Sequence, residues 1–246
     1  MTAGGKSGKR SKGIYILPNL FTTGGLFAGF YAIVAATQGK FEAAAVAIFI
    51  AMVMDGLDGR VARMTNTTSD FGVEYDSLAD MIAFGLSPSL VVYEWALMSK
   101  GKLGWLVAFI YVASAALRLA RFNTQRVQDK RYFQGLPSPA GAAFMAALVW
   151  FCVDRSIAGK PIAELVMVLT VLIGAAMVSN IKYRSFKDLD LKDRVPFVAI
   201  LLVVLVYVVI SLDPPTVLFF IASVYALSGP VSCVWRWRRK TGSSDE

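Results

Sequence analysis

DGLDGRVARMTNTTSDFGVEYDSLAD, residues 55–80, is the stretch on which the reading of this chain turns. Asp55, Asp58, Asp76 and Asp80 lie at the ends of two long apolar segments, whereas Asp70 and Glu74 fall in the polar connection between them. Residues three or four apart share one face of a helix. Asp55 and Asp58 therefore form one pair, and Asp76 and Asp80 form another. The run Thr65, Asn66, Thr67, Thr68, Ser69 is turn-forming. It predicts two antiparallel helices with adjacent ends, on which the aspartate pairs converge.

The surrounding chain is apolar. Of its 246 residues 56% are hydrophobic and 17% charged, against about 25% charged in a soluble domain; mean hydropathy is +0.57. The charges cluster between apolar runs, eight of which approach the ~20 residues that span a bilayer: 17–37, 42–63, 76–98, 103–122, 136–154, 162–181, 195–212 and 216–235. The fold expected is all-α, a polytopic transmembrane helical bundle of about eight spans. It would comprise a basic tail at 1–13, a single transmembrane catalytic domain at 14–236 whose last two spans (195–235) are accessory, and a tail at 237–246. Pro88 is expected to kink the third span. Cys152 and Cys233 lie far apart in apolar runs and are expected to be buried and unpaired.

Net charge is +8 with no histidine. With the N-terminus inside, twenty of the 25 Lys and Arg residues fall on the cytoplasmic side; only Lys40, Lys100, Lys102, Arg155 and Lys160 fall on the other. That asymmetry predicts both termini in the cytoplasm, in the cell membrane, with the aspartate pairs at the cytoplasmic face. The cations form no continuous soluble patch, which argues against nucleic acid. A cation-coupled transporter would carry acidic groups near mid-membrane and repeat-related broken helices; neither pattern is apparent here.

Four converging carboxylates repel one another, and a divalent cation relieves that repulsion. Oxygen-only donors without His or Cys favour Mg²⁺, Mn²⁺ or Ca²⁺ over zinc, and two ions bridging a phosphate fit four carboxylates; Mg²⁺ or Mn²⁺ is the expected cofactor. Gly56, Gly59 and Ala62 permit close approach to the backbone, and Arg63 can neutralise phosphate oxygens.

Asp55, Asp58, Gly59, Ala62, Arg63, Gly72, Asp76 and Asp80 occupy the pattern D-x-x-D-G-x-x-A-R-x(8)-G-x(3)-D-x(3)-D with every gap correct. The chain thereby resembles the CDP-alcohol phosphatidyltransferase family. The resemblance implies that Asp55, Asp58 and Asp76 ligate metal with a contribution from Asp80, and that Asp80 is the base at the acceptor hydroxyl. It implies that Gly59, Arg63 and Ser69 contact the CDP part of the donor, with Ala62 and Gly72 fixed by the same motif, and that the protein is a homodimer. Asn19, at the start of the first span, is a further candidate donor contact on the same surface.

SLADMIAFGLSPS (77–89), RLARFN (118–123), FQGLPSPAGA (133–142) and YRSFKDLDLK (183–192) resemble the bacterial and archaeal phosphatidylserine synthase branch, which implies CDP-diacylglycerol and L-serine as substrates. Serine brings a carboxylate, so cations should lie near the aspartates; Arg118, Arg121, Lys182 and Arg184 are the candidates. Glycerol 3-phosphate, inositol phosphate and choline are the alternative acceptors.

Overall fold

The computed structural model describes residues 16–65, 69–124, 132–184 and 197–241. The chain runs α1 (Ile16–Thr37), α2 (Phe41–Thr65), α3 (Asp70–Asp80), α4 (Ser87–Trp95), α5 (Lys102–Thr124), β1 (Tyr132–Gln134), α6 (Ser138–Asp154), α7 (Ala163–Val178), β2 (Lys182–Arg184), α8 (Phe197–Leu212) and α9 (Pro214–Thr241). The fold is all-α apart from the two short strands. Helix occupies each of the eight apolar segments. The tail at 1–13, residues 242–246 and the basic residues Arg126, Lys130, Arg131, Lys187, Lys192 and Arg194 lie outside the described residues.

Among the described residues four stretches are long and apolar enough to cross a membrane: Pro18–Thr37, Lys102–Thr124, Lys160–Val178 and Pro214–Cys233. The remaining segments differ for physical reasons. α2 has the length, but its second half carries Asp55, Asp58, Arg60 and Arg63. α6 has 17 residues, and the third segment is not one regular helix. Large apolar side chains such as Phe27, Val53, Phe109, Leu172, Leu205 and Phe220 face outward. That surface is unfavourable in water and favourable against lipid tails.

α1 and α2 form an antiparallel hairpin closed at Gly39, whose φ of 73° suits the left-handed turn. Ala28, Ala32 and Ala35 meet Ala44, Ala47 and Ala51 within the buried core, so small side chains let the two backbones approach closely. α6 sits at the centre, with every residue from Ala142 to Val149 buried, as a helix enclosed on all sides requires.

The third segment is a rod in three parts. α3 leads into a π-helical turn, Met81–Leu86, and then into α4. Pro88 lies in the first turn of α4 and has no N–H for the carbonyl of Phe84, four residues earlier. The Tyr111 hydroxyl on α5 donates to that carbonyl at 3.1 Å instead. Ser87 Oγ lies 2.7 Å from both Ile82 O and Gly29 O, tying the turn to α1. The proline's effect is thus a wider helical turn, a device often found beside functional groups.

Two features were not anticipated. β1 pairs antiparallel with β2, Phe133 opposite Tyr183. The Tyr183 ring is fully buried against Gly229 of α9, and its hydroxyl donates to Ala226 O at 3.2 Å. Cys152 is buried, but Cys233 is exposed and so corrects the expectation of burial; it lies on the outward side of α9.

At the other end of the bundle Asp213 precedes α9 and accepts from Thr216 N at 3.3 Å. Arg155 Nη2 donates to Asp213 Oδ2 at 2.9 Å and to Thr216 Oγ1 at 2.7 Å. Hydrogen bonding from Thr216, then the Arg155 charge, holds the Asp213 carboxyl below its usual 3.8. A depressed carboxylate stabilises the fold above the unfolded pKa and loses that contribution as pH falls through the folded value. Asp213→Asn keeps the cap and removes the charge. Its stability deficit in thermal unfolding should be present at pH 7 and vanish as pH falls below the usual carboxylate range. Tyr111→Phe should lower stability by about 1–3 kcal/mol, the cost of orphaning a buried carbonyl, measured by thermal unfolding in detergent; an unchanged midpoint would discount the Tyr111 bond as a support of the π turn.

Candidate active site

α2 and α3 bring the aspartates together as the spacing predicts. One carboxylate oxygen each from Asp55, Asp76 and Asp80 lies within 4.8 Å of the others, a group able to hold a metal ion. Asp58, only 6% exposed, stands apart from that trio and accepts a 2.9 Å hydrogen bond from Thr22 of α1. None of the ion pairs among the described residues involves Asp58, Asp76 or Asp80. A narrow cleft of about 10 Å³ touches all four aspartates together with Thr22, Ala79 and Phe84, room on the order of one water-sized sphere. Partly buried oxygen donors crowded around such a space fit a hard divalent cation.

A larger cavity of about 190 Å³ adjoins Asp58 and Asp76. Its walls include Pro18 and Asn19 of α1, Gly59, Ala62 and Arg63 of α2, and Ser69, Gly72 and Val73 at the start of α3. Asn19, Gly59, Ala62, Arg63, Ser69 and Gly72, the candidate donor contacts, therefore share one cavity. Local chemistry explains their arrangement. Ser69 caps α3 by accepting from the Gly72 N–H at 3.1 Å. A Cβ on Gly72 would stand 3.2 Å from that Ser69 oxygen and 3.6 Å from Asn19 Oδ1, so glycine keeps the capped turn open. A Cβ on Gly59 would meet only the Arg63 guanidinium, near 4 Å. The cavity thus offers bare backbone, an arginine and a helix N-terminus, a combination suited to phosphate.

The candidate acceptor residues are placed differently. None of Arg118, Arg121 and Lys182 lines either cavity. Arg118, 8% exposed, donates to Gln134 O at 2.9 Å and so holds β1. Arg121 donates to Val178 O at 3.0 Å and to Asn180 Oδ1 at 3.3 Å. Neither arginine forms an ion pair among the described residues. Lys182 is exposed in β2, and Arg184 pairs through its backbone with Tyr132. The Arg184 side chain lies outside what is described.

Thr22, Thr23 and Tyr75 escaped the sequence reading. Thr23 Oγ1 lies 2.9 Å from the Tyr75 hydroxyl, joining α1 to the residue before Asp76. The available signal was a pair of hydroxyl residues inside an apolar span, one turn after Pro18 and Asn19. Such residues usually bond their own helix backbone, which hides any second partner from sequence.

The family model for CDP-alcohol phosphatidyltransferase matches residues 15–178, which takes in both cavities and leaves α8 and α9 outside. The chain is 39% identical over 196 residues to the CDP-diacylglycerol–serine O-phosphatidyltransferase of Helicobacter pylori (strain ATCC 700392 / 26695), covering 79% of this chain and 83% of that protein. It is 33% identical over 171 residues to the protein of the same name from Bacillus subtilis (strain 168), covering 70% and 91%. It is 40% identical over 141 residues to the one from Methanocaldococcus jannaschii, covering 57% and 63%. The motif at 55–80, the cavities that it lines and the matched segment coincide: the chain belongs to the CDP-alcohol phosphatidyltransferase family.

Proposed function

We propose that the chain transfers the phosphatidyl group of CDP-diacylglycerol to L-serine, giving phosphatidylserine and CMP. The observation that carries this reading is the junction of the two cavities at Asp58 and Asp76. A cavity whose walls suit phosphate thus adjoins a carboxylate cluster, which supports the reading. The names of the relatives supply the substrates.

In this reading the diphosphate of the donor lies against Gly59, Arg63 and the capped N-terminus of α3. Asp80 takes the proton from the serine hydroxyl. The serine oxygen forms a bond to the phosphorus that carries the lipid, and the bond from that phosphorus to the oxygen of CMP breaks. CMP leaves with the electron pair. Asp55, Asp58, Asp76 and Asp80 would hold Mg²⁺ or Mn²⁺, one ion or two. Bound there, the metal supplies positive charge against the diphosphate and the crowded carboxylates. Arg118 and Arg121 keep guanidinium N–H groups beyond those bonded to backbone, and we assign them the serine carboxylate.

The placement follows from charge. Helix in each of the eight apolar segments, the cationic asymmetry and the outward apolar faces support eight spans with both termini in the cytoplasm and the site at the cytoplasmic face of the cell membrane. The family resemblance supports a homodimer.

CMP release by detergent-purified protein from CDP-diacylglycerol should require serine. It should stop with a chelator and resume with Mg²⁺ or Mn²⁺. Asp80→Asn should lower kcat by about 10²–10⁴-fold. Release with glycerol 3-phosphate, inositol phosphate or choline in place of serine would overturn the acceptor assignment. Arg118→Lys should raise KM for serine with little change in KM for the lipid, because a lysine lacks the planar fork; an unchanged KM for serine would remove Arg118 from the acceptor site.

A further inference from the structure

α1 carries no aspartate, yet it touches both helices that do. Successive residues on a helix point about 100° apart, so neighbouring threonines can face different partners. Thr22 is 5% exposed, and its Oγ1 lies 2.9 Å from Asp58 Oδ2 and 3.2 Å from Pro18 O. A hydroxyl has one proton. The carboxylate oxygen is the nearer acceptor, with the shorter bond, which directs the proton to Asp58. Thr23 donates to Asn19 O at 2.7 Å, which uses its proton. The Tyr75 hydroxyl, 2.9 Å away, must therefore be the donor to Thr23. One threonine thus grips α2 at a buried carboxylate, and the other grips α3 immediately before Asp76.

We propose that Thr22 and Thr23 are positioning residues that set the aspartate geometry for a divalent cation, Thr22 by orienting Asp58 and Thr23 by fixing α3 through Tyr75. Three observations support the assignment. Asp58 is the carboxylate outside the close trio, so it needs the most help to join the others. Thr22 lines both the donor cavity and the aspartate cleft, at the partition between them. α1 packs on both neighbours: its Ala28, Ala32 and Ala35 share the buried core with Ala44, Ala47 and Ala51 of α2, a Cβ on Gly29 would stand 2.8 Å from Ala83 Cα just after α3, and Gly29 O accepts from Ser87. Groups that orient metal ligands without binding metal commonly govern affinity by 10–100-fold.

The proposal rests on the metal-dependent reading of the aspartates, and direct Mn²⁺ binding separates the two. Mn²⁺ uptake by full-length protein in detergent would be followed by electron paramagnetic resonance, without substrates. Wild type should bind Mn²⁺. Thr22→Val, which keeps the shape and loses the hydroxyl, should weaken binding by about 10–100-fold. Thr22→Ser should return it to within about threefold of wild type, since the donor is restored. Tyr75→Phe, at a more exposed position, should weaken binding by a smaller factor, and Thr23→Val with Tyr75→Phe should be no worse than either alone. Wild-type affinity in Thr22→Val would overturn the proposal, as would a loss in Thr22→Ser equal to that in Thr22→Val, which would assign the effect to packing. Should Thr22→Val not fold, Thr22→Ala takes its place with the same expected loss and the same overturning result, and undiminished binding in Tyr75→Phe removes the Thr23 arm. A wild type that takes up no Mn²⁺ overturns both the proposal and the metal reading.

Discussion

Asp55, Asp76 and Asp80 hold carboxylate oxygens within 4.8 Å of one another, with Asp58 buried beside them. Like charges this close, in a chain built to face lipid, set the terms for the surrounding structure. No helix would choose this arrangement for its own stability; the scaffold has to impose it. The α1–α2 hairpin does so with buried alanines along its seam, and Gly29 of α1 packs so closely on Ala83 that a Cβ there would stand 2.8 Å from the Ala83 Cα. The π turn after Asp80 is stapled by Ser87 to α1 and by Tyr111 to α5. Ser69 closes the start of α3. Rigid surroundings for a repulsive cluster are what a site held ready for cation and diphosphate requires.

Much of this was legible because it rests on short-range pattern. Apolar length marked the eight helical segments, and the spacing of the four aspartates placed both pairs on facing helices. The candidate donor contacts that the motif named line one cavity. What escaped was set by contacts distant in sequence. The third segment begins at Asp70 rather than Asp76, because Ser69 caps it there. Pro88 announced a disturbance, but whether it would give a kink or a π turn depends on Tyr111 and Gly29, which no local window contains. β1 and β2 are three residues each and carry no periodicity; their pairing depends on a buried tyrosine reaching α9.

The arginines illustrate the same divide. Charge and topology singled out Arg118 and Arg121, and the structure shows each bonded to backbone carbonyls near the strand pair. A buried guanidinium satisfies part of its bonding this way and keeps donors for an anion. Holding the strands and meeting an acceptor carboxylate are therefore compatible duties. α9 enters the same neighbourhood through Tyr183 and Tyr225, although it lies beyond the segment matched by the family model.

The carboxylate cluster, as proposed, is a divalent-cation site which the fold holds under electrostatic tension. Thermal unfolding of the wild-type protein in detergent across a Mg²⁺ titration tests it most directly. A ligand bound only by the native state stabilises by RT ln(1 + [L]/Kd), so the midpoint should climb steadily with Mg²⁺ concentration and show no such climb with a monovalent salt at equal ionic strength. A midpoint indifferent to Mg²⁺, or one that follows ionic strength alone, would contradict the account.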